Sequence, residues 1–156
     1  MDRHPQYLTP EGMKKLEEEL AHLQNARRPE VAAKITEAHD SGGVEENAEY
    51  EEAKNELALL EARISEIENV LERAVVADKS MVEKGVIGFG SSVDVRDRTK
   101  RKRQYQIVGS AEVAPLDGKI SIESPVGKAL VGHRVGDVVE VETPSGVNKL
   151  TVTRVR

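Results

Sequence analysis

Asp40-Ser41-Gly42-Gly43-Val44-Glu45-Glu46-Asn47 separates two long helical patterns, and its shortness decides the fold. A break of a few residues cannot carry the chain to a distant partner. The helices on either side must therefore run antiparallel and side by side. A helix of about 30 residues is roughly 45 Å long, so the hairpin expected here is a rod with carboxylates at its turn. A coiled coil between chains is the alternative, and the short break disfavours it.

Upstream, Thr9-Pro10-Glu11 reads as a helix start. The threonine hydroxyl can cap, proline suits the first helical position, and glutamate complements the positive end of the dipole. Met13, Leu16, Leu20 and Leu23 form a seam in steps of three and four. Arg27-Arg28-Pro29-Glu30 interrupts it, and the pattern resumes at Val31, Ile35 and Ala38 in a shifted phase. The expectation is a first helix over about 10–40, kinked near Pro29. Downstream, Ala53, Leu57, Leu60, Ile64, Ile67, Leu71 and Ala74 hold a heptad register, and charged residues crowd the other positions. That helix is expected to run to about Ala77.

From Asp78 the apolar period drops to two. Val93 and Val95, Tyr105 and Ile107, Ile120 and Ile122, Val139 and Val141, and Leu150, Val152 and Val155 alternate with polar residues between glycine-rich turns. Thr143-Pro144-Ser145-Gly146 reads as a hairpin turn. Ser124-Pro125 starts a short helix that Gly132 ends. The fold class is α+β: an N-terminal antiparallel two-helix coiled coil over 1–79, and a small antiparallel sheet with one short helix over 80–156.

The charge divides in the same way. Residues 1–80 carry 19 acidic and 10 basic side chains, and residues 81–156 carry 9 and 13. The absence of cysteine excludes disulfides and thiolate chemistry. Met1-Asp2-Arg3-His4-Pro5 lacks the apolar run of a signal peptide, and no stretch has the apolar length of a membrane span. A soluble, cytoplasmic monomer is expected. The four histidines show no metal-ligand spacing, and no phosphate-loop motif is present. Asp40, Glu45, Glu46 and Glu49 surround the turn. They are too few to make a private metal site, yet they suit completion of a magnesium site on a partner; equally, acid there complements a helix dipole. The run Arg96, Arg98, Lys100, Arg101, Lys102 and Arg103 reads as an exposed, solvated loop between strands. Phosphates or an acidic protein surface are its functional alternatives.

Three motifs carry a family resemblance across nearly the whole chain. They are Arg27-Arg28-Pro29-Glu30, Glu46-Asn47-Ala48-Glu49-Tyr50, and Ser124-Pro125-Val126-Gly127-Lys128-Ala129-Leu130-Val131-Gly132 followed by Gly136-Asp137-Val138-Val139. Together they resemble the bacterial Gre-family transcript cleavage and elongation factors of the GreA type. The resemblance implies an FKBP-like C-terminal domain that docks on RNA polymerase at the rim of its secondary channel, through Ser124, Pro125, Gly127 and Ala129. It implies a coiled coil that reaches down the channel, with Lys54 and His39 at positions that contact the nascent RNA 3′ end. Tip carboxylates then act with Mg²⁺ in the polymerase active site to promote hydrolysis of backtracked RNA. The factor brings no cofactor and no catalysis of its own.

The family tip usually reads Gly-Asp-Leu-x-Glu-Asn-Ala-Glu-Tyr. Glu46 matches its second carboxylate and Val44 its apolar residue, whereas Gly43 stands in place of the aspartate. Asp40 and Glu45 are the neighbouring carboxylates that could substitute. A homologue that occupies the channel and modulates transcription without promoting cleavage is therefore the second reading. A prolyl isomerase, for which the second half offers only Phe89 and Tyr105, and an inert coiled-coil adaptor are readings of other classes.

Overall fold

The computed structural model describes residues 4–41 and 47–156. They fall into two compact units, Lys14–Arg73 and the residues through Met13 together with Ala74–Arg156.

The first unit is the helical hairpin. Helix α1 (Pro10–His22) passes through a π-helical turn (Leu23–Arg27) into α2 (Arg28–Ser41), and α3 (Ala48–Glu72) returns. The π-turn explains the phase shift in the sequence. Arg28 N–H donates to the Leu23 carbonyl, five residues back, and such a turn inserts one extra residue. The heptad steps that led to Leu23 would continue to positions 30, 34 and 37. The apolar residues stand one later, at Val31, Ile35 and Ala38. The irregularity expected at Pro29 is thus a widened turn before it, which accommodates a ring that brings no N–H and crowds the carbonyl four residues back.

Val31, Leu60 and Ile64 form the buried centre of the hairpin, with Leu20, Leu23, Ile35 and Leu57 packed around them. Arg28 grips Glu61 through two bonds of 2.8 and 3.0 Å, and Arg63 grips Glu19 through bonds of 2.8 and 2.9 Å. Burying a Val, Leu or Ile contributes about 1.5–3 kcal/mol, against about 0.2–1 kcal/mol for an exposed ion pair. The seam therefore holds the helices together, and the ion pairs select their register.

The second helix ends sooner than the heptad suggested. Ala74 belongs to strand β2 (Ala74–Val76), which pairs in parallel with β1 (Gln6–Leu8). Gly109 permits a close approach to this ladder, since a Cβ there would lie 1.9 Å from the Tyr7 carbonyl oxygen. Thr9 caps α1 as expected: its hydroxyl accepts from Gly12 N–H at 3.0 Å. Glu112 then accepts from both the Thr9 amide, at 2.9 Å, and the Thr9 hydroxyl.

The remaining strands are β3 (Ser92–Arg96), β4 (Lys102–Val108), β5 (Lys119–Ser121), β6 (Val138–Thr143) and β7 (Gly146–Val155), in sheet order β5-β4-β3-β7-β6. The sheet is not wholly antiparallel, because β4 and β5 pair in parallel. Ile122, assigned by its period to a strand, lies just past β5. Inward-facing Val93, Val95, Ile107, Val139, Val141, Leu150 and Val152 join Ile87 and Leu130 in one core. Helix α4 (Pro125–Leu130) covers it, with Ser124 as its cap.

Candidate functional site

Gly43, Val44, Glu45 and Glu46 lie outside the described residues. The frame that carries them is described. Asn47 adopts an extended backbone, and its side-chain oxygen accepts from Tyr50 N–H at 3.2 Å. Its side-chain nitrogen donates to the Ala38 carbonyl in the last turn of α2. One residue thus satisfies an orphan donor at the start of α3 and a carbonyl near the end of α2. It pins the two helix ends together where the intervening segment begins and ends.

His39, Tyr50 and Lys54 form a column beside that pin. The His39 and Tyr50 ring centroids are 5.9 Å apart at 57°, and Lys54 Nζ lies 5.2 Å from the Tyr50 ring centroid, within cation–π range. The two residues expected to contact RNA are therefore brought to a single aromatic ring. Sequence reasoning quoted Tyr50 only as part of a motif and missed this role. Spacing of three and four residues from Asn47 and Lys54 was the available signal. Asp40 is 73% exposed, and its Oδ1 lies 3.6 Å from His39 Nδ1. That contact does not withdraw it from solvent.

Behind the column, Lys34, Glu37, Ala38, Glu49, Glu52, Ala53 and Glu56 line a groove between α2 and α3. Its inner end is neutralised. Glu56 takes bonds from Arg27 and from Lys34 at 3.3 Å, and the Arg27 bond is the main reason its carboxyl is held below the usual range. Nearer the turn, Lys54 Nζ lies 3.9 Å from Glu51, so Glu37, Glu49 and Glu52 are the groove's carboxylates without an ion pair among the described residues. No group of three histidine, aspartate or glutamate side chains among the described residues is arranged to hold a metal.

The second set of expected site residues lies on and around α4. Ser124 Oγ accepts from Gly127 N–H at 3.0 Å and donates to the Ser121 carbonyl at 2.7 Å. Gly127 is buried, and a Cβ there would stand 2.1 Å from that same carbonyl oxygen. Ala129 packs against the sheet core. Pro125 and Lys128 are exposed. Ser124, Gly127 and Ala129 thus build the segment, and Pro125 is displayed on it. Beyond the helix, Asp137 accepts from Arg134 N–H at 2.8 Å and meets His133 Nδ1 at 3.2 Å, and the backbone bond is the main reason its carboxyl is lowered. The two aromatic residues weighed for an isomerase pocket are used separately. Phe89 packs on Tyr7, with centroids 6.2 Å apart, and Tyr105 lies against the sheet core.

Comparison with known proteins agrees with both halves. Residues 6–76 match the family described as "Transcription elongation factor, N-terminal", and residues 82–156 match "Transcription elongation factor, GreA/GreB, C-term". The chain is 48% identical to "Transcription elongation factor GreA" of Thermoanaerobacter pseudethanolicus over 97% of its length and 98% of that protein. It is 49% identical to the protein of that name from Clostridium beijerinckii, over 97% and 96%. Among solved structures, the GreA factor homolog 1 (Gfh1) of Thermus thermophilus is 36% identical, covering 98% of this chain and 99% of that one, with a TM-score of 0.47. This chain belongs to the GreA/GreB family of transcription elongation factors.

Proposed function

We propose that the sheet unit docks on RNA polymerase at the rim of the secondary channel, with Pro125 on the docking surface and Ser124, Gly127 and Ala129 holding the segment in shape. A single copy inserts its hairpin into the channel. Glu46, Glu45 and Asp40 supply carboxylates to the polymerase active centre, and Gly43 and Val44 are the tip residues of the same stretch of sequence. Mg²⁺, when bound at that centre, would supply a nucleophilic water and stabilise the leaving oxygen. The hydrolysis of backtracked RNA is the polymerase's own reaction. Lys54 and His39, set on the Tyr50 ring, approach the RNA 3′ end.

The observation that supports this reading is the pinned hairpin. A chain 48% identical to a GreA factor along nearly its whole length joins its two helices at Asn47, the second residue of Glu46-Asn47-Ala48-Glu49-Tyr50. Glu37, Glu49 and Glu52, which have no ion pair among the described residues, agree with an end of the hairpin that must meet a cation.

The test is cleavage of backtracked elongation complexes. The chain is expected to stimulate RNA hydrolysis, Glu46→Ala to abolish the stimulation, and Lys54→Ala to reduce it. One residue, Gly43, favours a second reading, in which the factor occupies the channel and modulates transcription without promoting cleavage. That reading holds if the protein competes for the channel, leaves the RNA uncut, and gains cleavage activity only with Gly43→Asp.

A further inference from the structure

The segment between β2 and β3 and the end of β7 together line an open hollow of about 450 Å³ in the sheet unit. Small-molecule sites run from about 300 to 1,000 Å³. Two glycines let the segment come down to form its wall. A Cβ on Gly88 would stand 2.6 Å from the Val82 side chain, and one on Gly90 would stand 3.1 Å from the Lys79 amide nitrogen. The wall is then held in place. Asp78 caps a 3-10 turn (Lys79–Met81) by accepting from Ser80 N–H at 2.9 Å. Val86 N–H closes the next turn on the Glu83 carbonyl at 3.0 Å, and Ile87 exchanges backbone bonds with His133 and Gly132 at 2.9 and 2.8 Å.

The polar groups left over in this hollow are donors. Ser91 is 2% exposed. Its hydroxyl accepts from Gly88 N–H at 3.0 Å, and its own O–H reaches no acceptor among the described residues. Lys79 and Lys84 are exposed, and neither has a hydrogen bond or ion pair among the described residues. The acceptors nearby are already engaged. Glu83, the one carboxylate side chain lining the hollow among the described residues, is held by Arg134 at 3.0 Å. Asp78, beside Lys79, spends Oδ1 on both the Ser80 amide and the Ser80 hydroxyl. The Arg156 carbonyl takes Ser92 N–H at 2.8 Å, while its guanidinium faces Asp94 at 3.4 Å. Val82, Val86 and Val155, all half-buried, supply the apolar part of the lining.

This lining selects its ligand by chemistry. Apolar walls with a few convergent polar groups are the make-up of a small-molecule site. Two ammonium groups and a buried O–H donor favour an anion, whose hydrogen bonds are charge-assisted. A bare phosphate would leave the three valines uncovered, and a neutral ligand would leave the two lysines unused. No aromatic ring lines the hollow to stack a base. We propose that it binds a small amphipathic monocarboxylate. The apolar body lies on Val82, Val86 and Val155, and the carboxylate accepts from the Ser91 hydroxyl and the Lys79 and Lys84 ammonium groups. A ligand so placed ties the segment after β2 to the last strand of the sheet.

The experiment is titration of 4-phenylbutyrate into the full chain at low salt, followed by amide chemical shifts. Saturable shifts are expected at Val82, Val86, Ser91 and Val155, with a Kd of about 1 mM or tighter. The melting temperature is expected to rise with ligand concentration, because the ligand binds only the folded chain. The neutral amide of the same body, 4-phenylbutyramide, and inorganic phosphate are each expected to bind at least about fivefold more weakly. The variant K79Q/K84Q alters two exposed side chains, so its melt without ligand is expected to match that of the parent. It is expected to bind 4-phenylbutyrate about three- to tenfold more weakly. Lys14→Gln combined with Lys15→Gln on the hairpin is expected to change nothing. The proposal is overturned if no saturable shift appears up to about 10 mM, or if the shifts fall outside the hollow. It is equally overturned if the amide or phosphate binds as tightly as the carboxylate, or if K79Q/K84Q keeps the parent's affinity. No polymerase is present in the assay, so its failure leaves the cleavage reading untouched.

Discussion

Asn47→Ala is the most informative single change in the hairpin, because one side chain makes two bonds on two helices. The oxygen caps α3 at the Tyr50 amide, and the nitrogen donates to the Ala38 carbonyl of α2. Loss of an asparagine cap costs typically about 1 kcal/mol. Loss of a half-buried amide–carbonyl bond costs about another 1 kcal/mol. A total of about 2 kcal/mol corresponds to a roughly thirtyfold increase in local opening at the hairpin mouth. Amide hydrogen exchange reads this directly. The Tyr50 amide and its neighbours in the first turn of α3 are expected to exchange about ten- to thirtyfold faster, while core amides such as those of β3 and β7 keep their rates. Asn47→Asp separates the two bonds. It retains the acceptor and places negative charge at the helix start, worth about 0.3–1 kcal/mol, but it removes the donor to Ala38. The Tyr50 amide is then expected to stay close to its original protection, with loss concentrated at the end of α2. Unchanged exchange in Asn47→Ala refutes the pinning argument. Equal effects of the two variants at Tyr50 refute the division of labour between oxygen and nitrogen.

Three further outcomes follow from the packing. Gly127→Ala places a methyl 2.1 Å from the Ser121 carbonyl oxygen, so the sheet unit is expected to lose about 1–3 kcal/mol by overpacking, measured by urea denaturation. Ile64→Ala, at a position 2% exposed, is expected to cost about 2–5 kcal/mol, whereas Leu59→Ala, at 75% exposed, changes stability by less than about 0.5 kcal/mol; paired denaturation curves distinguish seam from surface. The Glu19 carboxyl is held below the usual glutamate range in the folded chain, chiefly because Arg63 donates hydrogen bonds to it. Its contribution is therefore fully present above the ordinary glutamate range and is lost as pH falls through the depressed folded value. Glu19→Gln is expected to flatten the acid limb of the stability–pH profile and to leave its shape near pH 7 unaltered.

The legible part of the fold was the part written in short-range chemistry. Thr9 and Ser124 cap because a side-chain oxygen reaches an amide three residues on, and that geometry is local. The seam of α3 from Ala53 to Ile67 is a local period, as is the alternation of Val93 with Val95. The phase shift at Val31 was visible too. Its cause was not, because a proline kink and a π-turn leave similar marks in a pattern of apolar residues. The candidate site divided in the same way. Motifs named His39 and Lys54 separately, but only packing showed that both rest on Tyr50, because His39 belongs to the opposite helix.

Sequence alone determined the hairpin, the sheet unit, their order along the chain and the polarity of their charges. These follow from periodicity, from turn residues and from which side chains water will hold. Tertiary structure alone decided where long-range partners met. Ala74 continues a heptad by its spacing and yet pairs in β2, because the backbone of Gln6–Leu8 offers it a ladder. Strands β4 and β5 run parallel because the residues between them turn back through Ala114 and Gly118 before Lys119 meets Gln106. Arg96 meets Lys102, and Asp94 comes to stand between Gln104 and Arg154, only through the register of three strands. Pairings of this kind depend on contacts far apart in the chain, whose closure entropy no local pattern records.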